Sequence, residues 1–388
     1  MLNIWQASGN KLTSFPVEEL ANVFDVKHLK RRLSKVCGAS RFRQRLLRDG
    51  TILQDSAIVI EPQDLHLVLL PFCRSSDSDK ERVNAAIRRG DADYVESVLQ
   101  GPHDPEALTT PLSSPMVVAS YYRCLEIAKL LLEARAHADR AVQDETPLFV
   151  AASKGSLGIV QLLLAAGADK DRSCRGMTPL FAAVTGTSSI ECGIDCQSVA
   201  GLLLEARAGC DTVSCFGGHL ATPLYYAVAS EQTALVPLLL RGRADPNHVC
   251  ARGNTPLHVA SEKGLAITVN QLLAARAGVE FVRATGHTAL HLACSRGYDE
   301  IVQKLLESCA DRDQASSHDG MTPLHLASAP GHASAVSLLL QARADKNKAC
   351  ISDDTPLDLA RAAGHAEIVQ LLEWSGSGKS SRKRIRAS

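Results

Sequence analysis

Three histidines stand in near-identical surroundings: His258 in RGNTPLHVASEKG, His291 in HTALHLA and His325 in MTPLHLA. An imidazole can serve as a general base or bind zinc, but either role needs partner groups converging on one point. A second set with metal-binding chemistry is Cys192, Cys196, Cys210 and Cys215, with His219 near them, and GSGKS close to the C-terminal end invites a phosphate-loop reading. Each set fails on spacing. The position of His258 is filled by Phe149, Phe181, Tyr225 and Asp358 in sister segments; packed helices lie about 8–10 Å apart, so the three imidazoles cannot share one ion. Zinc sites favour tight Cys-x2-Cys pairs, which the four cysteines lack. A phosphate loop needs a glycine five residues before Gly378, where Glu373 stands. No catalytic, metal or cofactor site is expected, and the histidines are read as structural, bonding locally near a helix start.

The sister segments reveal what positions them. ETPLFVA, MTPLFAA, ATPLYYA, NTPLHVA, HTALHLA, MTPLHLA and DTPLDLA place threonines at 146, 178, 222, 255, 288, 322 and 355. A period of that kind signals a repeat array. Counting back from Leu131 and Leu132 sets an earlier unit at Ser114, which makes Thr110-Pro111-Leu112 a loop decoy, and ERVNAAIRRGDADYVESVLQ aligns with Glu81 at the threonine position. Nine units result. In each, threonine suits a helix N-cap and proline the first helical position; a short helix runs to a glycine such as Gly264, and a second carries Val269, Leu272 and Leu273. Neither helix is stable alone in water, so stacking on neighbours must hold them. Stretches such as RADPNHVCARG suit a hairpin tip.

These motifs resemble ankyrin repeats over about 81–374. The resemblance implies a mostly α, solenoid-like array of helix pairs with hairpin tips and a concave surface that binds partner proteins. Contacts in that family come chiefly from the residue before the threonine and the pair before the helix-loop glycine. Here those are Glu145, Ser153 and Lys154; Asn254, Glu262 and Lys263; His287, Ser295 and Arg296; and Met321, Ala329 and Pro330.

Residues 1–73 do not share the period. LNIWQ and LTSFPV flank Gly9-Asn10 as a hairpin; Val26, Leu29, Leu33 and Val36 have helical spacing; RQRLLRDGTIL and DLHLVLL supply two further strands. This β-β-α-β-β order resembles the small α+β ubiquitin-like, β-grasp domain. It implies a receptor-binding patch at Leu47, His66 and Val68, whereas the ending LVLLPFCRSS has no Gly-Gly for conjugation and Ser8 stands where that patch expects leucine. Residues 74–80 read as a linker, 178–221 as an insert-bearing unit and 375–388 as a disordered basic tail.

Lysine plus arginine and aspartate plus glutamate both number 42, which removes any whole-chain argument for nucleic acid. No apolar run approaches the ~18 residues of a membrane span. The start MLNIWQASGNKL is not a signal peptide, and scattered cysteines are expected as free thiols in a cytoplasmic monomer. Arg382-Lys383-Arg384-Ile385-Arg386 fits a nuclear-import signal or a merely solvated tail. Arg135, Arg207, Arg243, Arg276 and Arg343 stand where helix ends favour glycine; Asp245 and Asp345 are expected to neutralise their neighbours, and the alternative is an anion- or nucleic-acid-binding ladder aided by the tail. Pro237, inside the second helix of its unit, and the insertions before it predict a weak joint over 178–250. The function expected is that of a non-enzymatic scaffold or adaptor for partner proteins, with ubiquitin receptors as candidates for the head.

Overall fold

The computed structural model describes residues 1–16, 25–59, 64–73, 75–111, 113–186, 193–216, 219–250 and 253–374, with backbone alone at 193–195, 216 and 219. The chain divides into two compact units: Met1–Arg175 with Ile194–Val199, and Gly176–Gly193 with Ala200–Ser388.

The first unit opens with β1 (Leu2–Gln6), β2 (Lys11–Phe15), α1 (Val26–Cys37), β3 (Gln44–Arg48), β4 (Thr51–Ile52) and β5 (Asp64–Leu69). They form one mixed sheet of order β2-β1-β5-β3-β4, with β1 and β5 parallel and the other pairs antiparallel, and the domain is β-grasp-like. Strand alternation sends Leu2, Ile4, Leu46, Leu65 and Leu67 into a core closed by Val26, Leu29 and Leu33 of α1. Val36, the fourth residue of the expected stripe, is exposed. The single run RQRLLRDGTIL breaks into β3 and β4 at Asp49 and Gly50, both with positive φ.

Helix pairs follow: α2 (Asp77–Arg89) and α3 (Ala92–Gln100), α4 (Pro115–Tyr121) and α5 (Leu125–Glu133), and α6 (Pro147–Ser153) and α7 (Leu157–Ala165). Ser114 caps α4 by accepting from the Val117 N–H at 3.2 Å, with Pro115 at the first helical position. Thr110, the decoy, instead closes a loop with Ser113. The opening pair corrects the expected frame: α2 starts from the capping box of Ser76 and Asp79, so residues 77–80 form its first turn and Glu81 lies inside the helix.

Arg41 ties the β-grasp-like domain to these helices. Its side chain is 1% exposed and pairs with Asp55 at 3.2 Å, Glu96 of α3 at 2.7 Å and Glu133 of α5 at 2.6 Å. Lys27 adds a second cation to Glu96 at 3.0 Å and Arg31 one to Glu133 at 2.6 Å. Burial works against charge on Glu96, but its hydrogen bonds to Arg41 and Lys27 outweigh that and hold its pKa below the ordinary value.

The second unit contains α8 (Pro179–Gly186), α9 (Gly193–Glu205, of which 194–199 belong to the first unit), β6 (Ser214–Phe216) and β7 (His219–Ala221), then α10 (Pro223–Ala229) with α11 (Leu235–Arg241). It continues with α12 (Pro256–Lys263) and α13 (Ala266–Ala274), α14 (Ala289–Arg296) and α15 (Asp299–Glu307), α16 (Pro323–Ser328) and α17 (Ala333–Gln341), and α18 (Pro356–Ala362) and α19 (Ala366–Trp374). The insertion at Thr178 lengthens α9 and builds the β6–β7 hairpin, paired from Ser214↔Ala221 to Phe216↔His219. Pro237 does not break a helix. Helix α11 starts only at Leu235, so the proline falls in the first turn, where its missing N–H has no intrahelical acceptor to lose.

At two of the first-helix ends in the second unit, a neighbouring ring leaves no room for a side chain at the glycine. A Cβ on Gly297 would meet the His332 ring of the next pair at 2.5 Å, and one on Gly264 the Tyr298 ring at 2.8 Å. His332 Nε2 in turn reaches the Ser295 carbonyl at 3.3 Å, and His365 Nε2 the Ala329 carbonyl at 3.1 Å. Ring and glycine together satisfy a helix end and register one pair on the next.

Candidate functional site

The threonine and the glycine fix where the expected contact residues lie. Glu145, Asn254, His287 and Met321 close the turn ahead of each first helix, their carbonyls accepting from Val142, Cys250, Arg283 and Ser316 at 2.8–3.0 Å. Ser153 and Lys154, Glu262 and Lys263, Ser295 and Arg296, and Ala329 and Pro330 stand at the other end of those helices. All twelve are half-buried or exposed. Several bind one another's neighbours: Lys263 pairs with Glu231 at 2.7 Å, Glu262 with Arg283 at 3.2 Å and Glu145 with Arg175 at 3.2 Å. The hydroxyls of Ser153 and Ser295 turn onto their own helices, donating to Val150 and Leu292 carbonyls.

Chemistry at the histidine column is local. Thr255 N–H donates to His258 Nδ1 at 3.2 Å, and the Thr255 hydroxyl lies 2.8 Å from the same atom. His291 and His325 repeat this with Thr288 and Thr322, and Asp358 does it with a carboxylate. Since Nδ1 accepts, Nε2 carries the proton; it donates to Met321 O from His291 and to Asp354 O from His325. His258 Nε2 faces the Phe281 and His287 carbonyls without reaching hydrogen-bond geometry. Burial disfavours the imidazolium and pushes the pKa of His258 and His291 down to about 4. These rings are neutral caps.

Against known families, the model described as ankyrin repeats in three copies matches in overlapping placements that together run from residue 83 to residue 380. The chain belongs to the ankyrin-repeat family. No individual curated protein matches it. Ankyrin repeats are protein-recognition modules and are typically non-enzymatic.

Within the ankyrin frame, the same column rule picks out two residues the sequence reading passed over. Tyr121 and Tyr122 hold the positions of Ser153 and Lys154, one unit earlier, and are 50% and 45% exposed. Arg123, with φ 60°, fills the glycine position there. Lys154 Nζ sits 4.2 Å over the Tyr121 ring. The signal was available once Ser114 was set as the unit start; the missing glycine hid it. In the second unit, Val249, Phe281, Val282 and Ile351 are exposed on the hairpin segments.

The arginine ladder takes the expected backbone, with φ of 60–71° at Arg135, Arg207, Arg243, Arg276 and Arg343. Among the described residues no direct ion pair joins Arg243 to Asp245 or Arg343 to Asp345. Those carboxylates accept from the Asn247 and Asn347 N–H at 2.9 Å, and Asp211, Asp313 and Glu280 accept from N–H groups of the following unit. These acids thus serve the hairpin backbone.

Cys196 is buried, Cys210 half-buried and Cys215 exposed; Cys192 and the His219 side chain lie outside what is described. Among the described residues, no group of three or more His, Cys, Asp or Glu side chains is placed to hold a metal. Nor is any helix there long and apolar enough to cross a membrane. The basic tail falls outside the described residues.

On the β-grasp-like domain, Leu47 lies directly opposite His66, and Val68 opposite Arg45, all on the sheet face away from the core. His66 is exposed, Leu47 and Val68 half-buried. Trp5 on β1 and Ile52 on β4 extend the Leu47–His66 row.

Proposed function

We infer that this ankyrin-repeat chain is a non-catalytic adaptor that holds a partner protein on its first-helix faces and hairpin tips. The observation that carries it is the exposed Tyr121–Tyr122 pair beside Lys154. Tyrosine gives large contact area at small conformational cost and dominates protein interfaces. Affinity enrichment with the full chain and with Tyr121→Ser/Tyr122→Ser tests this: proteins bound specifically are lost from the variant while its melting curve is unchanged. An identical bound set overturns the assignment of this pair.

A second surface belongs to the reading. The row Trp5, His66, Leu47 and Ile52, with Val68 beside it, supports docking of a receptor for ubiquitin-like folds on the sheet. NMR titration of the full chain with such receptors checks it; unperturbed Leu47 and Val68 resonances count against it. For the ladder as a nucleic-acid site the support is weaker. Arg207, Arg243, Arg276 and Arg343 are each followed within four residues by Asp211, Asp245, Glu280 or Asp345, which leaves no stripe of one sign.

A further inference from the structure

A polar cleft of about 320 Å³ opens where the β-grasp-like domain meets α3, lined by Lys30, Arg41, Phe42, Arg45, Asp55 and Gln100 among others. Lys30 and Arg41 are 4% and 2% exposed, so two of its cations are held in the protein rather than waving in water. Lys30 meets Asp55 at 2.5 Å, and Arg41 shares that same carboxylate.

Arg45 differs from both. Its guanidinium donates only to carbonyls, those of Phe42 at 3.0 Å, Gln44 at 3.1 Å and Gln100 at 2.7 Å. Among the described residues no carboxylate pairs with it. In the cleft Lys30, Arg41 and Arg45 stand with the one carboxylate of Asp55, and Arg41 also reaches Glu96 and Glu133, which leaves Arg45 without an ion-pair partner at a half-closed site. A partly desolvated cation without a counter-charge is costly, and a bound anion would remove that cost.

We propose that this cleft binds a phosphoryl group, with Arg45 and Lys30 as its principal ligands and Arg41 supplying charge from behind. Two N–H bonds of the Arg41 fork and two of the Lys30 ammonium are not used by their carboxylates, and planar guanidinium donors match phosphate oxygens. The group comes from a small phosphate ester or from a phosphorylated side chain of a partner; the chemistry is shared.

Calorimetric titration of the full chain with pyrophosphate, against sodium chloride at equal ionic strength, is the test. Saturable binding is expected, weakened by about tenfold in Arg45→Gln, which leaves no carboxylate orphaned. Arg45→Lys keeps the charge without the fork and retains part of the affinity, whereas Arg276→Gln, far along the ladder, changes nothing. Circular dichroism melts of each variant separate lost binding from lost folding. A phosphoserine peptide that binds more tightly than pyrophosphate, and equally depends on Arg45, assigns the source to a partner side chain; the reverse order assigns it to a small ester. Heat no greater than that of chloride, or affinity unchanged in Arg45→Gln, overturns the proposal.

Discussion

Lowering the pH from 7 to 5 is expected to destabilise the C-terminal ankyrin units before most carboxylates titrate. His258 and His291 accept an N–H at Nδ1 in a buried setting, and burial pushes their pKa down to about 4 from 6.5. The folded state then binds fewer protons than the unfolded one between those values. Stabilisation is full above about pH 6.5 and is lost as pH falls toward the folded pKa. Linkage between pH 7 and 5 gives roughly 2 kcal/mol per ring, or about 4 kcal/mol for the pair. His325, its pKa also lowered chiefly by burial, acts in the same direction. Urea unfolding at both pH values measures the loss in the native chain and in His258→Asn/His291→Asn, where an amide oxygen can accept the threonine N–H as the Asp358 carboxylate does. The variant starts weaker by about 1–2 kcal/mol per site, from lost volume and, at position 291, the lost Nε2–H bond. It should lose about 4 kcal/mol less on acidification, and equal pH dependence in the two proteins refutes the capping argument.

Gly297→Ala should destabilise by about 2–4 kcal/mol, since a left-handed residue costs ~1 kcal/mol and the Cβ overlaps His332, whereas Gly90→Ala, with open space around it, should cost only ~1 kcal/mol; thermal melts compare them. Arg41→Ala strips one cation from Glu96 and Glu133, which keep Lys27 and Arg31, so a loss near ~3 kcal/mol is expected. Following Trp5 fluorescence through a urea titration reads it, and an unmoved transition contradicts the role given to Arg41.

The repeat was legible because it is written in local chemistry. Threonine caps, first-turn prolines and buried leucines recur at a fixed distance, and that distance alone distinguished Ser114 from Thr110. Legibility ended where the outcome depends on competition between partners. Asp245 lies two residues from Arg243, yet its carboxylate accepts the Asn247 N–H and forms no direct ion pair with the arginine, a geometry sequence spacing does not convey. Pro237 looked like a helix breaker because the pattern fixed the unit's period but not the residue at which α11 begins. Tyr121 and Tyr122 were obscured by Arg123 in the place of a glycine, although the column rule reaches them.

The junction at Arg41 lay furthest from view. In SRFRQRLLRDG it is one arginine among four, and its partners Glu96 and Glu133 are 55 and 92 residues away. Its consequence is mechanical. The β-grasp-like domain rests on α3 and α5, the second helices of their pairs, through Lys27, Arg31, Arg41 and Arg45. The exposed tyrosines close the first helix α4 of the same unit, away from those contacts. A partner on Tyr121 and Tyr122 and a second on the Leu47–His66 sheet face are therefore presented by one packed body rather than by two modules on a tether. Tethered modules gain effective concentration that depends on linker length; rigidly joined ones select partners by fixed geometry. Lengthening the chain between Cys73 and Ser76 should leave both surfaces in place, because the ion pairs and the Cys73 N–H bond to the Pro102 carbonyl hold them.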